Sequence, residues 1–328
     1  MGRLTPVGCP FLCLKGGISV ILLCGIPSEA PMAMVKGALD KLGEKTVFFN
    51  QRYFAQMGIK YQIDKGGITG KLKIGNKEYL LEEFDGIYSR LMDDQILPEL
   101  GGEPPLSERR KYCRAVHDTL IHWLEITPAR VLNRIAPMAS NSSKPYQAQL
   151  IKEQGFSIPN TLITNDPDEV ISYYEKNRRV VFKSISGVRS IVQELKEKDL
   201  ERLELIKWCP VQFQAYVEGQ DVRVHVIGKE VFACGISTDS LDYRYASTSL
   251  QPMDLPPELW EKCIRLSQAL QLSFAGIDLK LAPDGQVYCF EVNPSPGFSY
   301  YERKTGQPIA MTVARYLAGR SDTGAYEN

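Results

Sequence analysis

The chain has 328 residues, 44% of them hydrophobic, with 39 Lys plus Arg against 39 Asp plus Glu. That length suffices for two or three domains of ordinary size, and the composition is that of a globular protein. The even charge balance offers no basic footprint for nucleic acid or for an anionic membrane surface, so neither is expected as a partner.

The opening "MGRLTPVGCPFLCLKGGISVILLCGIP" is interrupted at Lys15-Gly16-Gly17, too early for a signal or a membrane span. Residues 1–17 therefore read as a loose extension, and "ISVILLCG" as the first core strand. A helix follows after the Pro and Ser residues near 27–31 and stops at Gly43, and "KTVFFN" gives the next strand. This βαβ opening predicts a parallel sheet covered by helices, an N-terminal α/β domain over residues 18–129. Within it, "GITGKLKIGNKEYLLEEF" reads as a hairpin turning at Gly-Asn, and "DGIYSR" as a strand that delivers Arg90 at its end. "SERRKYCRAVHDTLIHWLEI" is a helix with an apolar stripe through Cys113, Val116, Leu120, Trp123 and Leu124. His117 and His122 lie five apart on it, a poor spacing for shared ligation, and read as structural.

A second unit, residues 130–210, starts its helix at Asn141-Ser142-Ser143 and stops it at Gly155; strand, helix and a strand–loop–strand follow. A third, residues 211–319, is richest in strands. It runs through "VQFQAYVEG", "DVRVHVIG" and "EVFACGIS" to a helix near 256–271, a hairpin and a closing helix near 308–317. Residues 320–328 read as a frayed tail. The eight cysteines are scattered, with no C-x-x-C pair and no Cys/His zinc spacing, and a reducing cytoplasm is the expected location.

The last hairpin carries the strongest chemical signal. "GIDLKLAPDGQVYCFEVNPSPGF" sets Asp278, Glu291 and Asn293 among strand-like apolar residues. If Asp284-Gly285 forms a two-residue turn, Pro283 faces Gln286, Asp278 faces Glu291 and Gly276 faces Asn293. The two acids and the amide then share one face, with Ile277, Leu279, Tyr288, Phe290 and Val292 on the other. Acids directly opposite each other repel. A hard divalent cation on oxygen ligands, Mg²⁺ with phosphates above all, relieves that conflict. The other reading is a solvated strand edge with a different loop length.

Two lysines add to this. Lys144 opens a helix, where a cation opposes the local dipole unless an anion is near, and Lys183 ends the apolar run "VVF". Each alone reads as a solvated surface lysine; together with the hairpin they suggest phosphate contacts. Asp221, Arg223 and His225 alternate onto one strand face, an unusual charged row for a structural strand but natural beside a polyphosphate.

In this order, "NSSKPYQAQLIKEQGFSIPNTLIT", "VVFKSISG", "PVQFQAYVEGQDVRVHVIG", "FAGIDLK" and "FEVNPSPGF" resemble the ATP-grasp superfamily over about residues 131–318. The resemblance is to the branch with glutamate-ligase and glutathione-synthetase enzymes, near the ligases that cross-link microviridin-type peptides. It implies a mixed α/β and α+β fold, an N-terminal domain followed by two α+β subdomains that clasp ATP. It also implies ATP-dependent joining of a carboxylate to an amine through an acyl phosphate, with ADP as product. The implied substrate is an amino acid or peptide, and the implied cofactors are ATP and Mg²⁺, with Mn²⁺ as an alternative. By the same resemblance Lys144 and Lys183 contact ATP phosphates, Gln214, Ala215, Tyr216 and Val217 line adenine, and Asp221 falls on the ribose side. Arg223 steadies phosphate and acyl phosphate, and Asp278, Glu291 and Asn293 hold the metal.

Catalysis is thereby expected from Arg223, Lys183 and Arg244, and substrate carboxylates would be met by Arg90 and Arg244. Departures are visible too. "SISGVRS" is shorter and poorer in glycine than the family's phosphate-covering loop, and "CGISTDSLDYRYAS" offers only Arg244, in a setting closer to the peptide ligases. His225 reads as structural ahead of a base for the amine. Two rivals stay open: a small-molecule kinase on the same scaffold, and a nucleotide-binding protein without turnover. The sequence leaves a homo-oligomer open.

Overall fold

The computed structural model describes residues 19–184, 192–238 and 248–320. Those residues fall into two compact units, 19–135 with 310–320, and 136–309. In the first unit, β1 (Val20–Gly25), α1 (Ala30–Lys41) and β2 (Lys45–Asn50) are the expected βαβ opening. Glu29 precedes α1, a proline sits in its first turn, and Gly43 at φ +74° lets the chain leave it. β3 (Met57–Asp64), β4 (Gly67–Ile74) and β5 (Lys77–Leu80) form a separate antiparallel sheet in the order β3-β4-β5. The hairpin read from the sequence is β4–β5; β3 is an added strand, whose "MGIKYQID" alternates apolar with small or polar residues throughout.

β6 (Phe84–Ser89), α2 (Glu108–Ile126) and β7 (Arg130–Leu132) complete this unit's parallel sheet, ordered β2-β1-β6-β7. Helix α2 is capped by the Ser107 hydroxyl, which accepts from the Arg110 amide at 3.2 Å. It buries Cys113, Val116, Leu120, Trp123 and Leu124, the stripe expected from its 3.6-residue period.

The second unit begins at Ala136, within the short α3 (Ile135–Met138), and continues with α4 (Lys144–Glu153), β8 (Thr161–Thr164) and α5 (Pro167–Asn177). Then come β9 (Val180–Ser184), β10 (Gln193–Glu194), α6 (Glu197–Leu200) and β11 (Val211–Ala215). These strands make an antiparallel sheet in the order β10-β9-β11-β8, over a small core of Val170, Val180, Leu195, Leu203 and Phe213.

The larger sheet follows, built from β12 (Gln220–Ile227), β13 (Glu230–Thr238), β14 (Thr248–Met253), β15 (Phe274–Leu281) and β16 (Val287–Asn293). Its order is β14-β13-β12-β15-β16, antiparallel throughout. Between β14 and β15 runs α7 (Pro257–Ala269), whose Leu259, Cys263 and Leu266 pack on Val222, Val224, Ile277 and Val292. One face of this sheet is thus sealed by apolar packing, and the opposite face carries Asp221, Arg223 and Asp278 beside a smaller apolar cluster of Cys234, Ile236 and Tyr301.

The chain ends with α8 (Ser299–Thr305) and α9 (Ile309–Leu317). The sequence grouped this closing helix with residues 211–319; from Ala310 onward it clusters with the first unit. The reason is local. The Leu317 carbonyl lies where a Cβ on Gly86 would stand, 2.3 Å away, and accepts from Arg130 Nε at 3.0 Å. Among the described residues, no helix is long and apolar enough to cross a membrane.

Candidate active site

The β15–β16 hairpin pairs Asp278 with Glu291 and Gly276 with Asn293, the register expected from the sequence. The route to that register differs. Ala282 donates to the Gln286 carbonyl at 2.9 Å, so the loop holds Pro283, Asp284 and Gly285, not two residues. Leu281 therefore faces Val287 and Leu279 faces Cys289, one place out of step, and the bulge beyond Asp278 restores the alignment at Glu291. The apolar face changes accordingly: Cys289, 1% exposed, and Val287 pack into the core, and Tyr288 and Phe290 do not.

Each acid meets a cation of this chain. Arg223 Nη1 donates to Asp278 Oδ1 at 2.7 Å, as the cross-strand pairing of Arg223 with Asp278 dictates. Lys144 Nζ, at the start of α4, contacts Glu291 Oε1 and donates to Asn141 Oδ1 at 2.7 Å. The helix-opening cation that sequence reasoning found costly is thus paired. Asn293 Oδ1 accepts from the Ser295 amide at 2.9 Å, which turns the chain toward Pro296. Among the described residues no group of three or more His, Cys, Asp and Glu side chains could hold a metal. The set in question has two carboxylates and an amide, all-oxygen donors of the kind Mg²⁺ takes together with phosphate.

Arg223 is 5% exposed and lies against Gly276, where a Cβ would come within 2.2 Å of Nη2. Its guanidinium stands 5.7 Å from the Tyr301 ring. His225, two residues on, is 1% exposed and stacks edge-on against Tyr301 at 5.1 Å. Burial, with Arg223 adding, pushes its pKa well below the usual histidine value, so the ring is neutral. Neither of its nitrogens has a hydrogen-bond partner among the described residues.

The segment Gln214–Val217 leaves β11 beside α5. Gln214 Nε2 donates to the Thr161 hydroxyl at 2.9 Å, the Ala215 amide to the Asn160 carbonyl at 2.9 Å, and the Tyr216 amide to the Arg179 carbonyl at 3.0 Å. Of the last three amides, that of Val217 is the one without a partner among the described residues. Two cations approach the Tyr216 ring, Arg179 at 3.6 Å and Lys280 at 5.3 Å from its centroid. Lys280 also reaches Asp221 Oδ1 at 3.2 Å across the β12–β15 pair. Burial raises the Asp221 carboxyl above its ordinary value, and Lys280 works against that rise. Lys183 sits on β9 opposite Gln212 of β11, half-buried.

In the first unit Arg90 follows β6, at the carboxyl end of the parallel sheet. Its Nε and Nη2 both donate to Glu29 Oε1, at 2.8 and 2.6 Å. Asp93 and Asp94, its acidic neighbours in sequence, are engaged elsewhere: Arg114 reaches Asp94 at 2.9 Å and Asp93 at 3.9 Å. Arg244 lies outside the described residues, as does most of the loop "SISGVRS".

Sequence reasoning passed over Gln147. It is 1% exposed, and its amide brackets β16: Nε2 donates to the Val292 carbonyl at 2.8 Å and Oε1 accepts from the Val292 amide at 3.0 Å. The signal available was a polar residue on the buried stripe of α4, three positions after Lys144. Gln147→Ala should cost about 2–4 kcal/mol, because two buried backbone groups lose their partners at once. Denaturant unfolding checks this; an unchanged midpoint would show that β16 is held without Gln147.

Residues 141–317 match the RimK-like ATP-grasp domain, more than half of the chain. The probable alpha-L-glutamate ligase of Chromohalobacter salexigens is 26% identical over 245 residues, 70% of this chain and 78% of that one. The Chryseobacterium gregarium RiPP-associated ATP-grasp ligase, solved with ADP and a leader and core peptide, superposes with a TM-score of 0.78 at 22% identity. That match covers 92% of this chain and 97% of the other. ATP-grasp ligase PsnB, solved with a minimal precursor, Mg and ADP, gives a TM-score of 0.77 at 25% identity, covering 92% and 97%. The fold expected from the motif order is the fold these structures share, and the chain belongs to the RimK-like ATP-grasp family.

Proposed function

We propose that this chain is an ADP-forming ligase that uses ATP to join a carboxylate of an amino acid or peptide to an amine. The observation that carries it is the polar face of the β12–β15–β16 strands. There Arg223 pairs with Asp278 and Lys144 with Glu291, on the side of the sheet opposite its apolar core. Arg223 is buried, and a purely structural face would take its charge out of water at a cost with nothing to gain.

A carboxylate at neutral pH is a poor electrophile. Transfer of the γ-phosphoryl of ATP to one carboxylate oxygen releases ADP and gives the carbonyl carbon a leaving group. The amine then attacks that carbon, the C–O bond to phosphate breaks, inorganic phosphate departs, and the nitrogen loses a proton. The transfer calls for positioning and charge neutralisation more than covalent help. Lys144, Lys183 and Arg223 supply fixed positive charge toward the phosphates, and Arg223 steadies the acyl phosphate. Asp278, Glu291 and Asn293 would hold Mg²⁺, or Mn²⁺ in its place, which when bound neutralises phosphate charge. The Val217 amide and the neighbouring carbonyls suit the hydrogen-bonding edge of adenine, with Tyr216 in the same segment; Gln214 and Ala215 anchor that segment by their own hydrogen bonds, and Asp221 would serve the ribose side. We assign substrate carboxylates to Arg90, whose fork is already held by one carboxylate, and to Arg244. The sheet ordered β10-β9-β11-β8 and the five-stranded sheet are the two ATP-grasp subdomains in this reading.

Incubation with ATP, Mg²⁺ and panels of amino acids and peptides should release ADP and phosphate in step with a product heavier by one amide condensation. Phosphate retained on the substrate would mark a kinase instead, and ADP release with no condensed product from any panel would sink the ligase reading.

A further inference from the structure

The sheet β3-β4-β5 of the first unit has one face against the core and one face in water. Leu72, with Ile59, Tyr61, Ile74 and Tyr79, forms the inner face. On the outer face Lys60 pairs directly opposite Lys71, and Lys73 follows Lys71 on the same strand. All three are exposed. Like charges in direct cross-strand register destabilise a sheet.

The acids nearby do not balance them. Glu78 binds Lys71 at 2.7 Å, and its carboxyl is held below the usual range by that hydrogen bond and by the charges of Lys71, Lys60 and Lys73. Lys60 and Lys73 have no ion-pair partner among the described residues. Residues 57–80 hold five lysines against two acids in a chain whose total charge is zero. Lysine on an edge strand has an ordinary purpose, to discourage pairing with another sheet. That explains Lys60 on β3 but not Lys71 and Lys73, which sit on the central strand β4.

We propose that this outer face docks an acidic peptide segment of a partner. Charge complementarity fixes the sign, and geometry favours an extended chain. Lys71 and Lys73 stand about 7 Å apart, the distance at which alternate side chains repeat along an extended peptide. Lys60 lies about 5 Å from Lys71 across the ladder, so one acidic side chain can bridge both. Single-stranded nucleic acid would call for aromatic platforms, and both tyrosines of this sheet, Tyr61 and Tyr79, belong to its inner face. Exposed Gln62, Thr69 and Leu80 complete a face suited to peptide side chains.

The proposal does not rest on the ligase reading, and its test uses binding without turnover. The probe is a fluorescein-labelled peptide of alternating Glu and Ser, with alternating Gln and Ser as control, titrated with the full chain and read by anisotropy. The acidic peptide should bind and the control should not. The triple variant Lys60→Gln, Lys71→Gln, Lys73→Gln should weaken binding about tenfold or more, and raising salt from about 50 to about 300 mM should do the same. The triple Lys→Arg variant should bind like the parent, which separates lost charge from lost fold. Equal binding of both peptides, or an unchanged affinity in the Gln variant, overturns the proposal. So does tighter binding, through the same three lysines, of oligo-dT or of vesicles containing phosphatidylserine.

Discussion

Replacing Glu291 with Gln should lower turnover by about 100-fold or more while leaving the fold in place. The substitution keeps volume and removes one negative charge from the two-carboxylate, one-amide set. Glu291 has a side chain 31% exposed and lies on the polar side of β16, away from the aliphatic packing of α7, so the fold should tolerate it. The neighbour makes the experiment informative. Lys144, which contacts Glu291, would lose its charged partner, keep the Asn141 amide oxygen, and become more available to phosphate. Affinity for ATP without divalent ions should therefore hold or rise, while the concentration of Mg²⁺ needed for half-maximal rate rises. A metal ligand predicts this opposite movement; a merely structural acid predicts neither. Near-parental turnover at ordinary Mg²⁺ would remove Glu291 from the metal set.

Much of that face was legible because strands impose a period of two. The alternation of Asp221, Arg223 and His225 with Val222, Val224 and Val226 required one polar and one apolar face, and the three valines are at most 1% exposed. The pairing of Asp278 with Glu291 was reached through a two-residue turn that does not exist. A three-residue loop and a bulge cancel, and a bulge leaves no mark in a single sequence beyond an apolar residue out of phase, here Phe290. Partners distant in sequence were harder still. Nothing local ties Arg90 to Glu29, 61 residues away, or Gln147 to Val292, 145 residues away. The same holds for the closing helix: its amphipathic stripe asks for burial, but nothing in it announces that its Leu317 carbonyl abuts Gly86. Strand β3 was legible in the alternation of Met57, Ile59, Tyr61 and Ile63 with Gly58, Lys60, Gln62 and Asp64, and went unread.

Gly276→Ala should disturb the candidate site directly. A Cβ there would meet Arg223 Nη2 at 2.2 Å, Arg223 Cζ at 2.7 Å and Pro296 Cβ at 2.7 Å, all closer than atoms approach without something moving. Space alone is at issue, since Gly276 is not among the glycines with a left-handed backbone. It pairs with His225 on β12 and Asn293 on β16, one step along the polar face from the Arg223–Asp278 pair, so its bareness lets the guanidinium lie flat on the sheet. The displaced group could be the guanidinium, which would pull Nη1 from its 2.7 Å contact with Asp278, or the Pro296 turn that follows Asn293. Either displacement reaches the proposed phosphate and metal groups. Overpacking of this kind costs about 1–3 kcal/mol of stability, and misplacing a catalytic charge by about 1 Å costs about 100-fold in rate. Gly37→Ala is the matched control, because nothing stands within 4 Å of its Cβ position on α1. That change should be neutral or stabilise by up to about 1 kcal/mol, since alanine favours a helix interior. Measured side by side, kcat should collapse in the first variant and hold in the second. If Gly276→Ala keeps both its unfolding midpoint and its kcat, Arg223 is not seated on Gly276 in the working enzyme, and the charge that steadies the phosphates comes from another residue.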